Sequence, residues 1–193
     1  QWWDADVNPD AHLYNFIGKD NIPFHTIIWP GMLIGYNAGA THLNLPYDVP
    51  ANQYVTMSGS KASSSRNWAV WMPDYTSRHD PDPLRYVLTA IMPETSDSDF
   101  TWAEYVRRNN DELVARWGNL VNRVLTLTRR HFEERVPEPP STLSPESQAM
   151  LDTVDAAFEE VGGHIEAVNL RNALGAAMAV AQHANRYLDD RAP

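Results

Sequence analysis

From Asp80 to the C-terminal end, apolar residues recur at intervals of three and four positions. This spacing places them along one side of a helix and is typical of amphipathic helices that pack against each other. Asp80 precedes Pro81 at the start of the first such helix, as an N-cap residue precedes a proline in the first turn. The C-terminal part of the chain is therefore predicted to consist of helices.

Three longer helices follow, separated by prolines and glycines. A capping-box pattern at Thr101 begins a helix over residues 101–131. Ser144-Pro145 begins the next helix, and the pair Gly162-Gly163 interrupts it. A last helix is predicted over residues 170–190. Long helices joined by marked breaks predict an antiparallel helical bundle.

The first 80 residues have a different pattern, with short apolar runs between turn residues. Residues 13–17 are predicted to form a buried strand that ends at Gly18, and residues 21–36 have helical spacing. A strand, a glycine turn and a helix in this order form the basic unit of an α/β sheet. Further strands are predicted at residues 53–57 and 67–72.

The chain of 193 residues contains no cysteine, which excludes a disulfide scaffold, a thiolate nucleophile and a zinc site built on sulfur. With 43% hydrophobic residues it can bury a core. No apolar run reaches the ~18–20 residues that a membrane helix needs, and no secretory signal is apparent. Because the sequence begins with Gln1 and not with methionine, we expect it to be a piece of a longer protein.

Charge is distributed unevenly along a chain whose formal net charge is -10. Residues 101–131 contain six arginines and three acidic residues, whereas residues 132–193 contain four arginines and 11 acidic residues. Successive helical residues turn by roughly 100°, so four polar residues of the long helix fall within an arc of about 60° beside its apolar stripe: Arg116, Asn119, Arg123 and Arg130. Such a row could hydrogen-bond or stack on RNA bases. The alternative is a solvated face that pairs with acidic neighbours.

Residues 58–66 form a loop of small polar residues that contains Lys61 and ends at Arg66. Backbone N–H groups and hydroxyls in such a loop can reach phosphate oxygens, and the ammonium group can neutralise their charge. The loop lacks the spacing of a Walker A motif. An ordinary surface hairpin loop is the alternative interpretation.

Gly18, Lys19 and Asp20 follow the first predicted strand. Ligands of α/β sheets bind at the carboxyl ends of strands, where a carboxylate can accept from two ribose hydroxyls. A turn in which Asp20 caps the helix is the alternative. His25 lies nearby in an apolar helical segment, where a lone histidine is commonly structural. The seven histidines show no metal-binding spacing, and no metal site is predicted.

Five segments, in chain order, resemble methionyl-tRNA synthetase, a class I aminoacyl-tRNA synthetase. Residues 16–30 contain FIGKDNIPFH and then a Trp-Pro pair, similar to a segment of the family's catalytic Rossmann core. Residues 61–65, KASSS, stand where the family has its KMSKS signature loop, and residues 80–86 resemble the helix that follows. Residues 109–123 and 185–188 resemble the first and last helices of the anticodon-binding domain.

The resemblance implies roles in binding ATP and methionine for residues near the first strand. Asp20 is expected to bind the ATP ribose, with Gly18 beside the nucleotide. His25 is expected to line the methionine pocket, together with Asn21 one helical turn earlier.

The resemblance also implies roles for the polar loop and the long helix. Lys61 matches the first lysine of the signature loop, whose lysines stabilise the triphosphate as pyrophosphate leaves. Ser64 stands in place of the second lysine, and we expect both residues to serve catalysis. Asn119 and Arg123 match the pair that reads the CAU anticodon, with Arg116 beside them in the same row.

The family's HIGH motif, connective insertion and zinc knuckle have no counterpart in this sequence. The resemblance therefore implies an α/β remnant, the C-terminal part of a Rossmann-type catalytic core, followed by an all-α anticodon-binding helical bundle. The expected domains are residues 1–58 for the end of the catalytic core, 59–98 for the signature loop and stem-contact connector, and 99–193 for the bundle.

As part of a cytoplasmic methionine–tRNA ligase, the chain would act on methionine, ATP with Mg²⁺ and tRNA(Met). A zinc site is expected only in the missing N-terminal half, which is itself a possible partner. The chain alone is expected to be catalytically inactive. A stand-alone truncated paralogue that binds tRNA or a protein is the alternative. A structural helical module that binds no tRNA is a third hypothesis.

Overall fold

The computed structural model describes residues 2–39 and 41–191 of the 193-residue chain. Within them, the α-helices are α1 Trp29–Tyr36, α2 Met72–Thr76, α3 Pro81–Ala90, α4 Trp102–Arg108, α5 Asn119–His131, α6 Pro145–Glu166 and α7 Leu170–Arg191. The strands are short: β1 Ile17–Gly18, β2 Ala51–Asn52, β3 Val55–Met57, β4 Ser60–Lys61 and β5 Ser98–Phe100. None of the described helices has the length and apolar character needed to cross a membrane.

The chain divides into two compact units. The first comprises residues 1–56 and 93–98, and the second comprises residues 57–92 and 99–193. The strand order of the larger sheet is β4-β3-β5. The boundary between the two units falls within β3, after Thr56, and within β5, after Ser98.

In the first unit, β1 and β2 pair in parallel, with Ile17 opposite Ala51 and Gly18 opposite Asn52. The Ile17 N–H also donates to the Pro50 carbonyl at 3.0 Å. This parallel pair fits the α/β pattern that the sequence predicts for the N-terminal part.

The predicted strand over residues 13–17 is wrong except at Ile17. Tyr14 makes only an isolated parallel bridge to Asp48. The Leu13 carbonyl accepts from the Tyr47 N–H at 2.9 Å. The polar backbone groups of this segment are thus bonded to an irregular segment and not to a regular ladder.

The predicted strand over residues 53–57 is shortened to β3 for a similar reason. The Gln53 N–H donates to the Pro93 carbonyl at 2.8 Å, and the Tyr54 N–H donates to Asp97 Oδ1 at 2.9 Å. Two donors that a ladder would need are therefore already bonded.

The predicted helix over residues 21–36 is confirmed, with one local change. Its first part includes a π-helical turn, Phe24–Ile28, in which the Trp29 N–H donates to the Phe24 carbonyl. The wider turn lies directly before Pro30, whose ring and missing N–H disfavour a regular α-helical turn over the preceding residues. His25 lies within this π-helical turn.

The core of the second unit includes α3, which packs against α4 and α7. Leu84, Val87 and Ile91 of the α3 segment are buried, and Val87 has no exposed surface. Phe100, at the end of β5, is 3% exposed. Tyr75 is also buried, and its hydroxyl donates to the Asp80 carbonyl at 3.0 Å.

The long helix predicted over residues 101–131 is confirmed as a continuous helix from Trp102 to His131. It comprises α4, a π-helical segment Asn109–Gly118 and α5. The Thr101 hydroxyl accepts from the Glu104 N–H at 3.1 Å, as the capping pattern predicts.

The first turns of this helix carry an ion-pair network. Arg107 donates to both carboxylate oxygens of Glu104 at 2.8 Å, and Arg108 Nε donates to Glu104 Oε1 at 2.6 Å. The hydrogen bonds from Arg107, and then those from Arg108, lower the pKa of Glu104 to about 2. Glu112 extends the network, since both arginines also donate to its oxygens at 3.3 Å.

Replacing Glu104 by glutamine is expected to destabilise the fold by about 1 kcal/mol at neutral pH, a figure reduced for solvent screening. Because its folded pKa is lowered, the Glu104 carboxylate stabilises the fold fully above its ordinary pKa of 4.5, and this effect is lost as the pH falls through about 2. Urea unfolding at pH 7 and near pH 2 measures the difference, with Glu159→Gln on an exposed part of α6 as the control. A difference that does not narrow in acid would contradict this assignment.

The last predicted helix is confirmed as α7, whereas α6 is longer than predicted because it continues through the Gly162-Gly163 pair. The predicted interruption is wrong: glycine lowers helix stability by about 1 kcal/mol per residue but does not prevent helical hydrogen bonds. The Ala167 N–H still donates to the Gly163 carbonyl at 3.0 Å. The helix ends before Val168, whose φ of 57° is left-handed.

The predicted strand over residues 67–72 is also wrong. Asn67 has a left-handed φ of 51°, which ends an extended segment, and Met72 already belongs to α2. Trp68 makes an isolated antiparallel bridge with Ser63. This bridge closes the polar loop as a hairpin-like turn.

Candidate nucleotide and RNA-binding sites

Asp20 lies in a 3₁₀ turn, Lys19–Asn21, that directly follows β1 in the first unit. The Tyr54 hydroxyl lies 2.6 Å from both carboxylate oxygens of Asp20. This hydrogen bond raises the pKa of Tyr54, because loss of its proton would leave two anions side by side. The predicted strand-end position of Asp20 is therefore confirmed, and a phenol orients its carboxylate.

Lys19 is held away from Asp20 by a different set of contacts. Its ammonium group donates to Gln53 Oε1 at 2.7 Å and pairs with Asp97 at 3.4 Å. It also lies 4.2 Å from the centre of the Tyr54 ring. The Tyr54 N–H, and then Lys19, lower the pKa of Asp97. Sequence reasoning missed Tyr54 and Asp97, which lie 34 and 78 positions from their partners.

The surroundings of Asp20 fit a nucleotide ribose. Asp20 is exposed, and its two oxygens share one phenolic proton, so they keep lone pairs for further donors. Gly18 is exposed too, and apart from its chain neighbours no heavy atom of the described residues lies within 4 Å of the place where a Cβ would be. A sugar can therefore approach this turn.

His25 lies in the π-helical turn Phe24–Ile28, with its ring 5.2 Å from that of Phe24. Its Nδ1 is buried and has no hydrogen-bond partner among the described residues. Because an unpaired buried polar atom is costly, this nitrogen fits a contact to a ligand. Asn21 is exposed at the end of the preceding 3₁₀ turn.

The polar loop belongs to the second unit. Lys61 ends β4 and is exposed, and Ser64 lies in the turn that the Ser63–Trp68 bridge closes. The Trp68 indole N–H donates to the Met57 carbonyl at 3.0 Å, which fastens one side of the loop to its base.

Residues at the start of the loop need unusual backbone angles. Gly59 has a φ of 75°, and its N–H donates to Asp99 Oδ1 at 2.8 Å. The neighbouring Ser58 also has a positive φ, and its N–H donates to the Phe100 carbonyl at 2.9 Å. Hydrogen bonds to β5 therefore hold the residues at which the Lys61 loop begins.

The row on the long helix is in contact with α7, in the second unit. Asn185 of α7 donates to the Arg116 carbonyl at 2.8 Å, and its side-chain oxygen lies 3.5 Å from Asn119 Nδ2. Arg123 lies 3.4 Å from the Asn185 carbonyl and pairs with Asp189 at 2.8 Å. The structure therefore gathers three predicted RNA contacts around one asparagine.

The three row residues beside Asn185 differ in how much surface they present. Arg116 and Asn119 are exposed, while 27% of the Arg123 side chain is exposed. At this one position, the ion pair between Arg123 and Asp189 agrees with the alternative interpretation, in which the row is a solvated face that pairs with acidic neighbours. Asn185 and Asp189 were not predicted as part of this site, although their spacing of four places them on one side of α7.

No group of three histidine or acidic side chains suited to a metal ion occurs within residues 2–39 and 41–191.

Known proteins are similar to this chain over its whole length. The family described as tRNA synthetases class I (M) matches residues 1–125. The methionine–tRNA ligase of Thermomicrobium roseum is 53% identical over 192 residues, and that of Roseiflexus castenholzii is 50% identical over 194. Each match covers 100% of this chain and 32% of the relative, so the chain spans about a third of their length.

A solved structure is also similar. The crystal structure of Mycobacterium tuberculosis methionyl-tRNA synthetase bound by methionyl-adenylate aligns with a TM-score of 0.82 at 27% identity. The alignment covers 94% of this chain and 34% of that chain. The free form of the same enzyme aligns with a TM-score of 0.79.

Proposed function

This chain belongs to the methionyl-tRNA synthetase family of class I tRNA synthetases, and we propose that it supplies one part of a methionine–tRNA ligase. The complete enzyme would activate methionine with ATP and transfer it to tRNA(Met). The proposed contribution of this chain is part of the ATP and methionine site, the signature loop and the anticodon reader. Its similarity to methionine–tRNA ligases over 100% of its length supports this.

The proposed division of labour follows the chain. Residues 1–58 would form the end of the Rossmann-type catalytic domain, and residues 59–98 the signature loop with the stem-contact connector. Residues 99–193 would form the anticodon-binding bundle. The parallel β1–β2 pair supports the first assignment, and the continuous helix over Trp102 to His131 supports the third.

In the catalytic part, Asp20 would accept hydrogen bonds from the ribose hydroxyls of ATP, with Gly18 beside the nucleotide. The exposed carboxylate, oriented by the Tyr54 hydroxyl, supports this role. His25 and Asn21 would contact methionine, and the buried Nδ1 of His25, which has no partner in the described part of the chain, supports such a contact.

In the signature loop, Lys61 would neutralise charge that develops on the triphosphate of ATP as pyrophosphate leaves. Ser64 has a hydroxyl in place of a second ammonium group and would contribute a hydrogen bond without charge. Mg²⁺ would enter with ATP as its counter-ion.

The anticodon reader is the part that the geometry supports best. One observation carries it: Asn185 holds the backbone of Arg116 and lies beside Asn119 and Arg123, and Asp189 pairs with Arg123. The Arg116 backbone and the Arg123 side chain are thus held before RNA arrives, and groups that are already held lose less conformational entropy on binding. Exposed amide and guanidinium groups are the donors that recognise unpaired bases.

The isolated chain is expected to show no methionine-dependent exchange between ATP and pyrophosphate, because it spans about a third of the related ligases. The measurement follows isotope exchange with and without methionine. The complete ligase of Thermomicrobium roseum, assayed in parallel, controls for the reaction conditions. Methionine-dependent exchange by the chain alone would contradict the proposal that it supplies only part of the site.

A further inference from the structure

A polar cleft lies among α3, the long helix and α7, all within the second unit. Its volume is about 370 Å³. Its polar lining includes Tyr86 of α3, three residues of the long helix and two of α7: Arg108, Glu112, Arg116, Arg171 and Gln182. Among the described lining residues, three are cationic and Glu112 is the one acidic side chain.

Neighbouring side chains already compensate the negative charge of Glu112. Its carboxylate accepts from the Tyr86 hydroxyl at 2.7 Å and from Arg107 and Arg108 at 3.3 Å. It is 14% exposed. Burial, and then this hydrogen bond, raise the pKa of Tyr86, so the phenol stays neutral. Arg108 is itself paired with Glu104 and Glu112, so these charges balance. Glu112 therefore opposes an incoming anion only weakly, and the positive charge of the cleft comes from Arg116 and Arg171.

Arg116 connects this cleft with the proposed anticodon reader. It lines the cleft, and its carbonyl accepts from the same Asn185 that lies beside Asn119 and Arg123. Within the described residues, the Arg116 guanidinium makes no hydrogen bond or ion pair. Arg116 thus belongs to both the cleft and the row.

We propose that this cleft binds backbone phosphates of the RNA strand whose bases the row reads. The inference rests on the proposed function and adds a second contact zone to it. Arginine guanidinium groups donate paired hydrogen bonds to phosphate oxygens. Phosphate contacts position the strand but carry no sequence information, whereas contacts to bases specify it. The cleft therefore raises affinity for any anticodon, and the row discriminates among anticodons.

Arg171→Gln tests this assignment, because Arg171 is exposed and lies outside the row. The probes are two anticodon stem-loop RNAs, one with CAU and one with a changed triplet. The variant is expected to bind both about five- to eightfold more weakly at 0.1 M salt, since each phosphate contact changes log K by about 0.7–0.9 per decade of salt. The slope of log K against log salt should become less steep by about 0.7–0.9.

Arg129→Gln is the matched control. It removes the same charge from an exposed side chain of α5, about 120° around the helix from Arg123. It should leave affinity and salt slope near those of the unchanged chain. Circular dichroism of each variant verifies that the helices remain.

Three outcomes overturn the inference. The first is unchanged RNA affinity of Arg171→Gln, even if that variant loses binding of inorganic phosphate at constant ionic strength. The second is a loss confined to the CAU stem-loop, which would make Arg171 a base reader. The third is absence of RNA binding by the unchanged chain, which would overturn the proposed function as well. The proposed function and this inference are both supported if Asn119→Ala no longer discriminates between the two stem-loops and Arg171→Gln weakens the binding of both stem-loops equally.

Discussion

Replacing Asn119 or Arg123 by alanine is expected to abolish most of the preference of the chain for a CAU anticodon. Each side chain can hydrogen-bond a base edge, and a good base contact contributes about 1–3 kcal/mol of discrimination. The preference should therefore fall by roughly five- to 150-fold, while binding of RNA with a changed anticodon should fall much less.

The fold should survive both substitutions. Asn119 is exposed, and its contact with Asn185 is long at 3.5 Å. Arg123→Ala leaves Asp189 with 67% of its side chain exposed, so no buried charge loses its partner. Fluorescence titration with paired stem-loop RNAs measures the preference, and Arg129→Ala, about 120° around α5 from Arg123, is the control. If both variants kept the full preference, the anticodon assignment would be wrong.

Replacing Phe100 by alanine is expected to destabilise the second unit by about 3–5 kcal/mol, because a large buried ring leaves a cavity. Phe100 is 3% exposed, and its ring lies 5.4 Å from that of Trp102 and 6.3 Å from that of Tyr105. Its carbonyl also accepts from the Ser58 N–H at the base of the signature loop. The cavity would therefore lie beside the residues that support this loop.

Phe158→Ala is the matched control for Phe100→Ala. Phe158 is 74% exposed on α6, so its removal leaves no cavity and should change stability by less than about 0.5 kcal/mol. Urea unfolding followed by tryptophan fluorescence and circular dichroism compares the two variants. Equal losses would show that Phe100 does not anchor the core of the second unit.

The helices of this chain were predictable because their signals are local. Thr101 and Glu104 lie three positions apart and form the cap by themselves. The strands were less predictable because distant groups take up their backbone donors, as Pro93 does for Gln53. The continuity of α6 through Gly162 and Gly163 was not predictable, because packing against α7 outweighs a weak local preference.

The candidate sites divide in the same way. Asn119 and Arg123 lie one turn apart on a single helix, so their spacing alone predicts that they act together. Their support from Asn185 comes from a residue more than 60 positions away. The contact of Tyr54 with Asp20 likewise spans 34 positions. Such partners depend on how the elements pack, and one sequence does not encode that visibly.

The most direct test of the proposed function compares two affinities of the unchanged chain. Stem-loop RNAs that differ only in the anticodon, CAU or a changed triplet, are titrated at one salt concentration. Two base-reading side chains predict binding of the CAU stem-loop at least about tenfold tighter. Equal affinities for the two RNAs would contradict the assignment of the row at Asn119 and Arg123 as an anticodon reader.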